Sequence, residues 1–134
     1  MSGHGFATRA IHDGQPADAL TGAVNVPIYA SSTYAQEEIG KHRGYEYSRV
    51  SNPTRTALEE NLASLEGGKS AHVFASGMAA IAALVTMFKT GDHVICGSNV
   101  YGGTPRLFDQ IIAHYGIGFT YVDTTDAEQV RKAI

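Results

Sequence analysis

The sequence predicts an α/β fold in which an irregular N-terminal arm precedes a mostly parallel sheet covered by helices. From about residue 53 onward, apolar patterns typical of helices and of strands alternate along the chain of 134 residues. Such alternation indicates a parallel sheet, because a helix usually connects two parallel strands. Residues 1–52 show no long period, since turn-forming residues interrupt them at Gly14, Pro16, Gly22, Pro27 and residues 40–44.

The arm, residues 1–52, is predicted to pack on another subunit. Its one helical pattern covers Thr8 to Asp13. An irregular segment of this length is unusual inside a compact domain unless it is functional or contacts a partner. Residues 53–134 form the second predicted region, and their last pattern is a helix from Asp126 onward. Because a parallel sheet needs further strands and a complete second layer, we expect this region to be truncated at Ile134.

The first long helix is predicted to begin at Pro53. Asn52 can cap its free N–H groups, and proline at the first helical position loses no hydrogen bond. Gly67 and Gly68 are expected to end the helix. Its apolar face is predicted to contain Leu58, Leu62 and Leu65, with Glu59 and Glu60 on the other side.

Beyond this helix the elements alternate. The patterns predict a short buried strand over residues 71–75, a buried helix over 77–88, a turn at 90–92, a strand over 93–96, a helix over 103–115 and a strand over 117–122. One face of the helix over 103–115 carries Leu107, Phe108, Ile111, Ile112 and Tyr115.

The junction Ala75-Ser76-Gly77-Met78 is a candidate phosphate site. It leads from a predicted strand into a helix, whose first N–H groups have no partner within the helix and carry partial positive charge. Anions bind at such ends, and small residues allow them to approach the backbone. The alternative is that Ser76 and Gly77 form an ordinary helix cap without a ligand.

Composition disfavours several classes of function. Ten basic and 13 acidic residues give a net charge of -3, which provides no excess positive field for nucleic acid or an anionic membrane. The N-terminus lacks the basic region and the apolar region of a secretory signal. The longest apolar run, residues 78–85, is far shorter than a membrane helix. We therefore expect a cytoplasmic protein.

Neither cysteine nor histidine indicates a metal site or a nucleophile. Cys96 has no second cysteine with which to pair, and its apolar neighbours predict a buried strand residue. The six histidines lack the spacing of metal ligands, and none is interpreted as one: His4, His12, His42, His72, His93 and His114.

Four motifs together resemble a known family: Val26-Pro27-Ile28-Tyr29, the run from Glu46 to Arg55, Ser76-Gly77-Met78-Ala79 and Tyr101-Gly102-Gly103-Thr104. Their order and spacing are similar to those in the N-terminal third of the trans-sulfuration enzymes, the cystathionine γ-synthase and γ-lyase group. The resemblance covers essentially the whole chain. It implies the first part of the large domain of the pyridoxal-phosphate (PLP)-dependent transferase fold of the aspartate aminotransferase type.

The same resemblance implies a cofactor site. Backbone N–H groups of Gly77 and Met78 would bind the phosphate of pyridoxal 5'-phosphate, with Ser76 beside them. Tyr47 and Arg49 would reach the phosphate of the neighbouring subunit's cofactor, which implies a dimer with shared active sites. Two such dimers would form a tetramer. An arginine fork and a phenol suit this role physically, although a solvated surface turn is the alternative.

Two further residues enter on the same resemblance. Tyr101 would stack on the pyridine ring, with a proton-transfer role as a further option, and Glu46 is a substrate-side candidate. Tyr101 follows the predicted strand over 93–96, at the sheet end where α/β proteins collect ligands. Gly102 and Gly103 would remove side chains where a flat ring must lie close to the backbone. The alternative for Tyr101 is an aromatic side chain that packs a loop against a helix.

The activity implied for the intact enzyme is γ-elimination or γ-replacement on cystathionine or activated homoserine substrates. The alternatives within the family are O-acetylhomoserine sulfhydrylase, methionine γ-lyase and cystathionine β-lyase, and Gly103 stands where methionine γ-lyases usually carry cysteine. In the family, the Schiff-base lysine and the aspartate on the pyridine nitrogen follow the region present here. We therefore expect the chain alone to be inactive, with solvated surface residues at Lys41, Lys69, Lys89 and Lys132.

Two other classes of function are alternatives. The chain could be a non-catalytic cofactor-binding or interaction module. It could also be a dinucleotide-binding domain, but the junction at Gly77 lacks the G-x-G-x-x-G pattern, and residues 97–99 provide no acidic ribose ligand. No G-x-x-x-x-G-K-[ST] motif is present, which excludes a P-loop.

Overall fold

The computed structural model describes residues 4–134 and divides into two compact units. The first unit ends at Val73, and the second spans Phe74–Ile134. The sequence-based boundary after residue 52 stays a prediction. In the structure, the helix that begins at Pro53 belongs to the first unit.

The first unit contains two helices and a small hairpin. Its elements are α1 (Phe6–His12), β1 (Gln36–Glu38), β2 (Lys41–His42) and α2 (Pro53–Glu66). Strands β1 and β2 pair antiparallel, and Thr33 forms an isolated antiparallel bridge with Tyr47. The short helix predicted over residues 8–13 therefore exists but begins two residues earlier, and most of the arm is irregular as predicted.

Helix α2 begins and ends as the sequence predicts. The side-chain oxygen of Asn52 accepts a hydrogen bond from the Thr54 N–H at 2.9 Å, and Gly67 ends the helix in the left-handed conformation with φ 65°. The predicted leucine face is wrong in detail. Leu58 is 50% exposed, whereas Asn61 is buried because its amide donates to backbone oxygens at the end of α1.

The second unit is built around a parallel pair of strands. Its elements are α3 (Gly77–Val85), β3 (His93–Gly97), α4 (Gly103–Gln110), a 3-10 helix (Ile112–Tyr115), β4 (Gly118–Val122) and α5 (Ala127–Ala133). His93 lies opposite Gly118 and Gly97 opposite Val122, which confirms the predicted parallel sheet. The buried apolar side chains are Val85, Phe108, Ile117 and Val122, and the Phe108 ring stacks on that of Phe119 at 4.4 Å.

The strand predicted over residues 71–75 is wrong. Within residues 4–134 no strand covers this segment, and His72, Phe74 and Ala75 are exposed. A strand exists only through hydrogen bonds to a neighbour, and the described parallel sheet consists of β3 and β4 alone. The apolar composition of residues 71–75 predicted a strand, but a segment becomes a strand only when its backbone pairs with a neighbouring strand.

Helix α3 is shorter and more exposed than its sequence predicts. It ends at Val85 rather than Phe88, because Met87 and Phe88 donate to carbonyls three residues earlier in a tighter turn. Leu84 is 56% exposed, so the helix is not buried on all sides. Burial of a wholly apolar helix requires cover all round, and α4 is the element that packs against it.

The helix predicted over residues 103–115 is broken at Ile111. The backbone there leaves the helical region, with φ -126° and ψ -61°, and a 3-10 turn follows before Gly116 at φ 77°. Phe108 of the predicted apolar face is buried, but Ile111 is 51% and Tyr115 66% exposed. The following strand begins at Gly118, one residue later than predicted.

Candidate functional site

The start of α3 presents two backbone donors. Ser76 caps the helix, since its Oγ accepts from the Ala79 N–H at 3.1 Å and its carbonyl from the Ala80 N–H at 3.1 Å. Among the described residues, no acceptor faces the N–H groups of Gly77 and Met78. Because the first N–H groups of a helix lack partners and attract anions, these two donors form the kind of seat that a phosphate uses.

The space outside this helix end is open. A Cβ built on Gly77 would meet no atom of the described chain within 4 Å, and Ser76 and Gly77 are exposed. Space for a small anion therefore exists beside Gly77.

Tyr101 and Met78 lie together beside Gly103. A Cβ on Gly103 would stand 2.5 Å from Cε1 of Tyr101 and 3.0 Å from Sδ of Met78. The structure thus brings two predicted site residues together, one from α3 and one from the turn after β3. The Tyr101 ring thus occupies the space beside Gly103, and the close approach of a cofactor ring to this backbone stays a prediction. Gly102, by contrast, faces open space within the described chain.

Thr104 is a residue that sequence reasoning missed. It is buried, its N–H donates to the Tyr101 carbonyl at 2.8 Å, and its hydroxyl lies 4.0 Å from Sδ of Met78. It therefore contacts both Tyr101 and Met78. A threonine in the first turn of a predicted helix, directly after two glycines, was the available signal.

The exposed face of Tyr101 is available to a ligand. Its side chain is 75% exposed, although one ring edge contacts Gly103. It lies four residues after the carboxyl end of β3, which is the end of a parallel sheet where ligands collect. An aromatic ring there can cover a flat ligand while the α3 donors hold its anionic group.

Tyr47 and Arg49 form a second pair, in the first unit. The guanidinium carbon of Arg49 lies 4.7 Å from the centroid of the Tyr47 ring. The N–H groups of Val50 and Ser51 donate to the Tyr47 carbonyl at 2.9 and 3.0 Å, which closes a turn around Arg49. Because stacking on a ring orients the flat guanidinium, its donor fork is held in a defined plane.

Glu46 precedes this pair and is half-buried. Its carbonyl accepts from the Tyr34 N–H at 3.1 Å, next to the bridge between Thr33 and Tyr47. Its carboxylate forms no ion pair or hydrogen bond within the described part of the chain.

Cys96 lies in β3 and is half-buried rather than buried, beside Tyr121 of β4. Burial raises the pKa of its thiol, and the nearby Asp109 carboxylate raises it further. The Tyr121 hydroxyl donates to Asp109 at 2.8 Å, and burial together with this carboxylate raises the pKa of Tyr121 to about 12. Both groups keep their protons at neutral pH, so Cys96 is a poor nucleophile.

Residues 4–134 contain neither a candidate metal centre nor a membrane-spanning helix. No group of three or more histidine, cysteine or acidic residues there could hold a metal ion. No helix in this range has the length and apolar character needed to cross a membrane. All four lysines are exposed: Lys41, Lys69, Lys89 and Lys132.

Comparison with known proteins shows the family of this chain. Residues 7–134 match the family model described as Cys/Met metabolism PLP-dependent enzyme. The chain belongs to that family. Pyridoxal phosphate is the cofactor of this family, and the start of α3 fits its phosphate. The N–H groups of Gly77 and Met78 have no acceptor among the described residues, Gly77 is exposed, and the Tyr101 ring nearby is exposed as well.

Individual relatives carry three related names. A probable cystathionine gamma-synthase from Herpetosiphon aurantiacus is 59% identical over 98% of this chain. A cystathionine beta-lyase from Coxiella burnetii is 52% identical over 95% of it. The crystal structure of cystathionine gamma-lyase from Lactobacillus plantarum, complexed with L-serine, matches 98% of the chain with 50% identity and a TM-score of 0.88.

The chain spans only part of these relatives. It covers 41% of the Herpetosiphon protein, 33% of the Coxiella protein and 34% of the Lactobacillus chain. What the comparisons establish directly is the enzyme family, its cofactor and an α/β fold that matches its N-terminal region.

Proposed function

We propose that this chain is the N-terminal, phosphate-binding part of a trans-sulfuration enzyme that performs γ-elimination or γ-replacement on cystathionine or activated homoserine. The observation that carries the proposal is the pair of N–H groups at the start of α3 that no described residue binds, with Met78 and the Tyr101 ring both next to Gly103. Family membership and the names of the relatives support the reaction class.

In the proposed site, the N–H groups of Gly77 and Met78 bind the phosphate of the cofactor, and Ser76 stands beside them. The partial positive charge of the helix end attracts the dianion. Tyr101 covers one face of the pyridine ring and is the candidate for moving a proton at its hydroxyl. When bound, pyridoxal phosphate supplies an electron sink for carbanions formed on an amino-acid substrate.

The second proposal concerns a neighbouring subunit. We propose that Tyr47 and Arg49 bind the phosphate of a cofactor held by another copy of the chain, in a dimer that shares its active sites and pairs into a tetramer. The exposed, ring-stacked guanidinium of Arg49 supports this role, because its fork can bind phosphate through two parallel hydrogen bonds. Glu46, next to this pair, is the proposed substrate-side residue.

The lysine that links the cofactor is proposed to lie outside this chain. The exposure of Lys41, Lys69, Lys89 and Lys132 supports this, since a cofactor-linking lysine works in a desolvated site. The 134 residues alone are therefore proposed to be inactive. The cytoplasm stays the proposed location, in keeping with a family of amino-acid metabolism.

Cystathionine β-lyase is a second candidate activity, because the Coxiella relative carries that name at 52% identity. O-acetylhomoserine sulfhydrylase and methionine γ-lyase stay as alternatives within the family. The methionine γ-lyase alternative is the weaker one, since a cysteine at position 103 would collide with the Tyr101 ring in its present position.

A chimera tests the proposed function. The matching N-terminal third of the Lactobacillus γ-lyase is replaced by this chain, and the product is assayed for bound pyridoxal phosphate, oligomeric state and cystathionine cleavage. We expect a yellow oligomer that cleaves cystathionine, and Arg49→Ala should weaken cofactor retention. Arg106→Ala, at an exposed position of α4, is the matched control and should behave as the parent chimera.

A folded, oligomeric chimera that retains no cofactor would overturn the proposal and favour a non-catalytic interaction module. Equal cofactor retention in Arg49→Ala and Arg106→Ala would overturn the phosphate-binding role of Arg49 alone. The unfused chain is the negative control and should show no turnover.

A further inference from the structure

Asn52 uses both ends of its side-chain amide. Its Oδ1 accepts from the Thr54 N–H at 2.9 Å and so caps α2. Its Nδ2 donates to the Tyr29 carbonyl at 2.9 Å, to Oγ of Ser48 at 3.0 Å and to the Tyr34 hydroxyl at 3.3 Å. One side chain thus joins the start of a helix to three other segments of the first unit.

The Ser48 contact leads directly to the candidate phosphate pair. Ser48 lies between Tyr47 and Arg49 in the chain, its N–H donates to the Ser32 carbonyl at 2.9 Å, and its hydroxyl also contacts the Ser31 carbonyl. On that side, the bridge between Thr33 and Tyr47 fixes the backbone. Asn52 fixes the opposite side of the same turn through its two donor hydrogens.

We propose that Asn52 is a positioning residue for Tyr47 and Arg49: its oxygen starts α2, and its NH₂ group holds the turn that presents the two side chains. The identity of their ligand rests on the proposed function above. The reason is entropic, since an exposed arginine loses much rotamer freedom when it binds an anion, and a fixed turn with a stacked ring reduces that cost.

Asn52→Asp separates the two roles. Aspartate caps a helix as well as asparagine does, and its charge interacts favourably with the helix N-terminus. An ionised carboxylate has no hydrogen to donate, so the bond to the Tyr29 carbonyl is lost. The bond to Ser48 is lost as well, because the Ser48 hydroxyl already donates its one hydrogen to the Ser31 carbonyl, and only the Tyr34 hydroxyl can donate to the carboxylate instead. The variant should keep α2 and loosen the turn of Tyr47 and Arg49.

The experiment is NMR of the full 134-residue chain. In the parent chain, the Tyr47 ring current should shift the side-chain protons of Arg49 upfield, because the guanidinium lies over the ring. In Asn52→Asp this upfield shift should be largely lost, while the amide protons of α2 keep their exchange protection. Ser51→Ala is the matched control, since within the described residues the Ser51 hydroxyl makes no hydrogen bond; it should keep the shift.

Ser48→Ala is the second variant. It leaves Asn52 intact but removes the hydroxyl that accepts from Asn52 next to Tyr47. The upfield shift of the Arg49 side-chain protons should therefore decrease, and this measurement does not depend on the folding of Asn52→Asp. Retention of the full shift in a folded Asn52→Asp variant, or in Ser48→Ala, would overturn the inference. Equal loss of α2 protection and ring-current shift in Asn52→Asp would do so too, because the side chain would then act only through the helix.

Titration with inorganic phosphate separates this inference from the proposed function. If phosphate moves the Arg49 signals of the parent more than those of Asn52→Asp, both are supported. If phosphate moves neither, but Asn52→Asp still loses the ring-current shift, the positioning role stands and the phosphate role of the pair fails.

Discussion

The ring of Tyr101 occupies the position that a side chain at Gly103 would need. Cε1 of the ring lies 2.5 Å, and Sδ of Met78 3.0 Å, from the Cβ position of Gly103. Real Cβ atoms do not tolerate the shorter distance, so a side chain there must displace the ring. The absence of a side chain at one residue therefore decides where the candidate ring-stacking tyrosine stands.

Gly103→Ala should move Tyr101 away from Met78. We expect a weaker nuclear Overhauser effect between the Tyr101 ring and the Met78 side chain, which lie next to the same Cβ position. The cost in stability should stay below ~1 kcal/mol, because the ring is 75% exposed and can turn aside. Gly102→Ala is the matched control, because a Cβ there meets nothing within 4 Å in the described chain. If both variants keep the full Overhauser effect, the ring position does not depend on Gly103.

Substitutions at Ser76 should separate helix capping from phosphate binding. Ser76→Ala removes the acceptor of the Ala79 N–H and should lower the free energy of unfolding by about 1 kcal/mol, measured by urea denaturation. Ser76→Asp restores the cap but places a negative charge at the proposed phosphate seat. It should keep stability and lose affinity for pyridoxal phosphate. Unchanged affinity in this variant would locate the phosphate elsewhere.

The contact between Tyr121 and Asp109 predicts a decline of stability at high pH. The native pKa of Tyr121 is raised to about 12, whereas an unfolded tyrosine titrates near pH ~10. Between these values the native state binds more protons than the unfolded state, so stability falls as pH rises through this window. Below it, the contribution of Tyr121 is fully present.

Asp109→Asn tests the cause of that shift. Removal of the carboxylate charge should lower the pKa of Tyr121 toward its ordinary value, while burial keeps part of the shift. NMR of the Tyr121 ring carbons during a pH titration measures it. Glu128→Gln, an acidic residue of α5 that pairs with Arg131, is the control and should leave the titration of Tyr121 unchanged.

Asn61 should matter more for stability than the leucines of α2. Its amide donates to the carbonyls of Arg9, Ala10 and Asp13 at 3.0, 3.3 and 2.8 Å, at the end of α1. Asn61→Ala should cost about 2 kcal/mol, because three half-buried carbonyls lose a donor and a buried side chain is removed. Leu58→Ala, at a half-exposed position, should cost less than ~1 kcal/mol in the same urea denaturation. The reverse order would mean that the leucine face dominates after all.

Local signals explain what could be predicted. Asn52, Pro53 and Gly67 act through hydrogen bonds and backbone angles within a few residues, so the bounds of α2 followed directly from them. Ser76 marked the start of α3 in the same way, and the donors of Gly77 and Met78 followed from helix geometry. For the rest of the candidate site, the four motifs in family order supplied the residues.

Elements that depend on distant partners were predicted less well. The segment 71–75 has the composition of a strand but pairs with none of the described strands, and the helix predicted from residue 103 breaks at Ile111. The roles of Asn61 and Thr104 were missed because each is buried by contacts with another segment of the chain. Nothing local distinguishes Asn61 from an ordinary polar position on a helix, whereas the two glycines before Thr104 were the one local signal at that residue.

The sequence by itself determined the α/β class, the order of most helices and strands, the cap at Ser76 and the family to which the chain belongs. Only the tertiary structure decided that Tyr101 stands against Gly103 and Met78, and that Arg49 lies over Tyr47. The physical reason is range. Caps and periodic patterns act over a few residues of chain, whereas the position of a side chain depends on which atoms from other segments already fill the space around it.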